Sequence, residues 1–179
     1  AGDVDGDGLG DIIIGAYGAG HAYIFLGASL GDTQILSLSE ADHKLSGMTG
    51  WSVASAGDVD GDGLSDVLVG SYGWDSNTGR VFLVTGSSLE GESTIDSSDA
   101  DYAFAGENSG DGAGYYLSSA GDVDGDGLDD ILVGAPYNDD AGTHAGKSYL
   151  VLPKSLSSTT IVSLASADYS FIGENSNDY

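Results

Sequence analysis

Three stretches of this chain crowd four aspartates into nine residues, with glycines between them and an apolar run directly after. AGDVDGDGLGDIIIGA supplies Asp3, Asp5, Asp7 and Asp11, and AGDVDGDGLSDVLVGS supplies Asp58, Asp60, Asp62 and Asp66. The third copy, AGDVDGDGLDDILVGA, supplies Asp122, Asp124, Asp126 and Asp130. Carboxylates this close repel one another. At ~4 Å and an effective dielectric of ~20, each close pair costs on the order of 4 kcal/mol. A divalent cation relieves that repulsion, and hard oxygen donors in this number select Ca²⁺ over softer metals. The sequence therefore predicts three Ca²⁺ sites, one per copy. A solvated Asp-Gly turn is the alternative for any single copy, but three near-identical copies that keep every carboxylate argue against it.

The spacing fills in the rest of each loop. Gly6, Gly8, Gly61, Gly63, Gly125 and Gly127 permit the left-handed backbone that curls a short loop around an ion. By analogy with other Asp-rich loops, the seventh position, Leu9, Leu64 and Leu128, contributes its backbone carbonyl to the metal. Its side chain is expected to point inward and anchor the loop. An EF-hand is excluded, because that loop needs a bidentate Glu at position 12 and flanking helices. Position 12 here is Ile14, Val69 and Val133, each inside a run that reads as strand.

Elements recur around the loops in fixed order. A β-branched strand follows each loop at residues 12–14, 67–69 and 131–133, and a Gly-Ala/Ser-Tyr/Pro turn ends it. An aromatic and β-branched strand comes next at 23–26, 81–85 and 148–152. A Ser/Leu-rich connection leads to a third strand announced by Ala-Asp, at 41–45, 100–104 and 167–171. Residues 50–54 and 114–118 read as the strand that enters the next loop. Four short strands per ~60 residues, separated by turns, is the pattern of a propeller blade. Thirty Gly against two Pro, without sustained 3.6-residue periodicity, supports all-β over helix.

The loop followed by Gly134-Ala135-Pro136, with Phe104-Ala105-Gly106 and Phe171-Ile172-Gly173, resembles the FG-GAP repeats of the integrin α-subunit propeller and bacterial integrin-like surface proteins. The resemblance implies all-β propeller blades of four antiparallel strands. It also implies that each loop joins a blade's first two strands and binds Ca²⁺ through the Asp residues named above. Gly15-Ala16-Tyr17 and Gly70-Ser71-Tyr72 lack the Pro, and Leu45-Ser46-Gly47 replaces Phe-x-Gly. The expected units are 1–55, 56–119 and 120–179, the last without its final inner strand, since residues 173–179 match 106–112 and stop there. Three blades of a seven-bladed family propeller do not close a ring, so further sequence or self-association through open edges is expected to complete the structure.

Composition narrows the function. The formal net charge is −25, with only Lys44, Arg80, Lys147 and Lys154 opposing 29 acids. Such a field repels nucleic acid and anionic lipid. No apolar run is long enough to span a bilayer. Cysteine is absent, which excludes disulfides and thiolate metal sites. Asp-rich sites of this kind fill at about 10⁻⁴–10⁻³ M, the range of extracellular modules, so a secreted or surface location is expected. Catalysis finds little support: His21, His43 and His144 lie in different contexts, and no nucleophile elbow occurs. Trp51 is expected to pack between blades, while Tyr17, Tyr72, Tyr137 and Trp74 are candidates for a protein or glycan contact surface. The expectation is a non-catalytic calcium-binding scaffold for adhesion or protein interaction. A self-assembling fibre or matrix repeat and an accessory module of a secreted hydrolase are the alternatives.

Overall fold

A computed structural model describes residues 1–31, 35–156 and 161–178; Tyr179, at the end of the recurring tail, lies outside them. Among the described residues, thirteen strands account for most of the regular structure. They are β1 (Ile12–Ala16), β2 (His21–Phe25), β3 (His43–Ser46), β4 (Ser52–Gly57), β5 (Asp66–Ser71), β6 (Arg80–Val84) and β7 (Thr94–Asp96), followed by β8 (Tyr102–Ala105), β9 (Tyr116–Gly121), β10 (Asp130–Ala135), β11 (Lys147–Val151), β12 (Ile161–Ser163) and β13 (Tyr169–Ile172). They form three sheets in the orders β1-β2-β3-β7, β12-β8-β6-β5-β4 and β13-β11-β10-β9.

The inner strands of each sheet form an antiparallel meander whose register repeats. Ile12 faces Phe25, Val67 faces Val84 and Ile131 faces Val151. The strand before a loop pairs with the strand after it, β4 with β5 and β9 with β10, so the second and third Asp-rich loops each cap a β-hairpin. A register shift between Ser55 and Gly57, and another at Asp130, bends each hairpin into its loop. Gly57 and Gly121 sit at φ 80° and 69° there, the left-handed conformation that a bulge glycine provides.

Two strands run where the sequence reads only as connection. β7 pairs parallel to β3, and β12 pairs parallel to β8. Each three-residue segment crosses to the outer edge of the preceding blade and covers it. The blades are therefore not purely antiparallel, and covering the outer edge leaves it unable to template another chain.

The sheets pack face on face around two apolar clusters. Along β5 the period-two alternation of a strand sorts side chains between them: Val67 and Val69 join Ile24, Leu45 and Phe82 on one side, while Leu68 joins Phe104, Ile131 and Tyr149 on the other. Every residue of β5 is buried. The same motif in β1 is buried only in part.

Candidate metal centre

Each Asp-rich loop is built by its own carboxylates capping its own amides. Asp3 accepts from the N–H groups of Gly6 and Gly8 at 2.8 and 2.9 Å, Asp5 from Asp7 at 3.1 Å and Asp7 from Leu9 at 2.7 Å. The second loop repeats this, with Asp58 bonded to Gly61 and Gly63, Asp60 to Asp62 and Asp62 to Leu64. So does the third, through Asp122, Asp124 and Asp126. These are local bonds across two to five residues, as expected of Asp in turns, which explains why sequence alone dictates them. The glycines adopt the expected backbone: Gly6, Gly8, Gly61, Gly63, Gly125 and Gly127 have φ between 75° and 93°.

The ninth-position Asp stands apart, because it lies at or directly before the start of the strand and is buried. Asp11 accepts from Val4 and Gly27, and Asp66 from Val59 and Gly86, at 2.7–2.9 Å. Asp130 accepts from Val123 at 2.7 Å, and its second oxygen, Oδ1, is buried without a hydrogen-bond partner. Burial pushes the Asp66 carboxyl up to about 7, with the negative charges of Asp60 and Asp62 adding to the effect against the two amide donors. Asp60 and Asp130 are raised for the same first reason, desolvation.

Three oxygen groups result, Asp3-Asp5-Asp11, Asp58-Asp60-Asp62 and Asp122-Asp124-Asp130, each with one oxygen per residue within 4.8 Å of the others. Ca²⁺ binds oxygens at 2.3–2.6 Å, so two ligands of one ion stand up to about 5 Å apart. These separations suit a shared cation, and so does the orphaned Asp130 oxygen. Asp7, Asp66 and Asp126 lie outside these tight groups, although each belongs to its loop.

The leucines depart from expectation. Leu9 is 50% exposed. Leu64 and Leu128 are half-buried and reach the preceding loop: a Cβ on Gly6 or Gly61 would meet Leu64 or Leu128 Cδ2 at 2.9 or 3.1 Å, while Leu64 Cβ also abuts Gly86 of its own blade. Backbone bonds follow the same path, from Ser65 N–H to the Asp3 carbonyl at 2.8 Å and from Asp129 N–H to the Asp58 carbonyl at 2.9 Å. The loops are stitched in series. The Ala-Asp signal also acquires a role unread in the sequence. Asp42, Asp101 and Asp168 accept from the N–H groups of Leu26, Thr85 and Leu152 at 2.8–2.9 Å, holding the end of each blade's aromatic strand.

At the far end of the strands lies an aromatic row. Trp51 sits edge-on to Tyr17 and Tyr72, with centroids at 4.9 and 4.6 Å, and Tyr72, Tyr115, Tyr137 and His144 continue the line. Trp51 thus packs at a blade boundary, as expected, yet stays 37% exposed. Trp74 packs on Phe82 beneath the Arg80 guanidinium, a structural position rather than part of the row. Along β5, at ~3.3 Å per residue, the row stands about 20 Å from the metal loop.

Comparison with known proteins agrees with this architecture. A family profile described as FG-GAP-like repeat matches residues 3–69, and one described as FG-GAP repeat matches residues 114–151. Integrin alpha-IIb of Mus musculus is 34% identical over 149 residues, covering 74% of this chain and 14% of that protein. Integrin alpha-5 of Xenopus laevis is 30% identical over 172 residues, covering 87% of this chain and 16% of that protein. The chain thus spans about one-seventh of the length of these relatives. With the strand register repeated in all three sheets, these matches establish that the chain belongs to the FG-GAP repeat family and forms an integrin-like, partial propeller.

Proposed function

We propose that this chain is a non-catalytic, calcium-binding propeller scaffold of the extracellular space, used for adhesion or protein interaction. The observation that carries the reading is that each of the three repeated loops gathers three carboxylate oxygens within 4.8 Å of one another, from positions 1, 3 and 9 in the first and third loops and 1, 3 and 5 in the second. An enzyme needs one asymmetric site, whereas one loop motif repeated three times suits a scaffold. The residues that would hold the ions are Asp3, Asp5, Asp7 and Asp11, with the Leu9 carbonyl; Asp58, Asp60, Asp62 and Asp66, with the Leu64 carbonyl; and Asp122, Asp124, Asp126 and Asp130, with the Leu128 carbonyl. Bound calcium would neutralise the loops and lock the hairpins that carry them. The aromatic row, away from the loops, is the surface for a protein or glycan ligand, with rings that contribute contact area at low entropic cost. Integrin alpha subunits, the named relatives, support the adhesive reading. Among the described residues no helix is long and apolar enough to cross a membrane.

Removing calcium tests the proposal. If each loop sees ion at ~100 times its dissociation constant, linkage adds about 2.7 kcal/mol per site, so EGTA should lower the melting temperature sharply. An unchanged melt after verified metal removal would refute it. A second reading, self-association, draws on the flanks: Ile12 and Ile14 on one outer blade and Tyr169, Phe171 and Ile172 on the other are large apolar side chains left exposed. Such faces accept a further blade, and a second copy offers one. Sedimentation across a hundredfold concentration range would reveal it as growing species, while a constant monomer mass would remove it.

A further inference from the structure

Besides Asp129, which stands where the other loops have Gly10 and Ser65 and accepts from the Asp58 N–H of the loop before, the surroundings of the third loop differ from those of the other two at two adjacent positions of the chain. The strand register makes the equivalence explicit. Ile12, Val67 and Ile131 face Phe25, Val84 and Val151, so Gly27, Gly86 and Pro153, each two residues further on, are counterparts. In the first two loops this glycine's N–H donates to the buried Asp, at 2.8 Å to Asp11 and 2.9 Å to Asp66. Proline has no N–H to give. Asp130 is 0% exposed, and its Oδ1 is left without a donor. A buried carboxylate oxygen in that state calls for a cation.

The next residue supplies one, though not to that oxygen. Lys154, where the other blades have Ala28 and Ser87, pairs its Nζ with Asp124 Oδ2 and lies 3.9 Å from Asp126 Oδ2. Asp124 belongs with Asp122 and Asp130 to the third oxygen cluster. Among the described residues no other Lys or Arg pairs with a loop carboxylate.

We infer that Lys154 is a tethered cation that competes with calcium for the third loop, so that the three sites are inequivalent and the third fills last. This rests on the reading of the loops as calcium sites. An ion entering between Asp122, Asp124 and Asp130 must push the ammonium off Asp124 or bind beside a like charge. The lysine is half-exposed, so the pair is weak and displaceable. Its competition is worth about a three- to tenfold loss of affinity, combining a surface ion pair with screened repulsion.

Calorimetric calcium titration of the full chain tests this at low and at physiological salt. The expected wild-type isotherm has two tighter sites and one about three- to tenfold weaker. Lys154→Ser, which installs the second blade's residue, and Lys154→Gln, which keeps the length without the charge, should each bring the third site level with or above the others. Ala28→Lys should create a second weak site in the first loop. The difference should shrink as salt rises. Three equal sites in the wild type, or an isotherm that neither Lys154 variant alters, would overturn the inference while leaving the calcium reading intact. No binding at any loop would sink both.

Discussion

Raising the pH of the metal-stripped protein from 4 to 7 should destabilise it, because Asp66 is buried at the start of a strand without a matching positive charge. Its side chain is fully buried, with two amide donors as its partners. In the unfolded chain it ionises near 3.8; in the fold, burial holds its proton up to about 7. The folded state therefore binds this proton more tightly. The stabilisation is complete below the unfolded value and is lost as pH climbs through the folded one. Roughly three pH units at 1.36 kcal/mol each gives about 4 kcal/mol, or on the order of 10 °C in melting temperature for a chain of this size. Asp60 and Asp130 lean the same way. The assay is thermal unfolding by circular dichroism of protein whose metal content is verified to be negligible, with Asp66→Asn alongside. Asp66→Asn should flatten the slope, and saturating calcium should reverse it, because only the ionised loop binds the ion. A melting temperature that rises or stays level from pH 4 to 7 in stripped wild-type protein would refute the reasoning, as would an unchanged slope in Asp66→Asn.

Other perturbations probe single sites and the core. Asp60→Ala should abolish one calcium site and leave two in a calorimetric titration; three sites of unchanged affinity would contradict the assignment. Leu64→Ala should weaken the first site as well as the second, because its side chain lies over Gly6; an effect confined to the second site would show that the loops act alone. Phe104→Ala empties a fully buried position between the second and third blades and should cost about 3–5 kcal/mol, read as a lower denaturant midpoint.

Much of the fold was legible because its signals are local. The strands after the loops and the aromatic strands fall within a residue or two of expectation, since β-branched runs bounded by Asp, Gly and Ser leave little choice. β7 and β12 were missed because three residues such as Thr94-Ile95-Asp96 become strand only when a neighbouring blade presents an open edge. The leucines were misjudged for a similar reason. Leu64 and Leu128 anchor against the loop before them, and no pattern within one repeat encodes that contact. The asymmetry of the third loop was readable in principle, as Pro153-Lys154 against Gly27-Ala28 and Gly86-Ser87, but its meaning needed the register that aligns those pairs.

The sequence by itself determined the blade repeat and the shape of each loop, because the bonds that make an Asp-rich turn span no more than five residues and close wherever that string occurs. Only the tertiary structure decided what each copy experiences. The motif that is wholly buried in β5 is half-exposed in β1, since β5 contributes to both apolar clusters and the first sheet to one of them. The ion pair from Lys154 to Asp124 joins residues 30 apart, and it distinguishes the third loop from two copies of nearly the same sequence. Burial and long-range charge depend on what packs against a residue, and no window of the chain contains that.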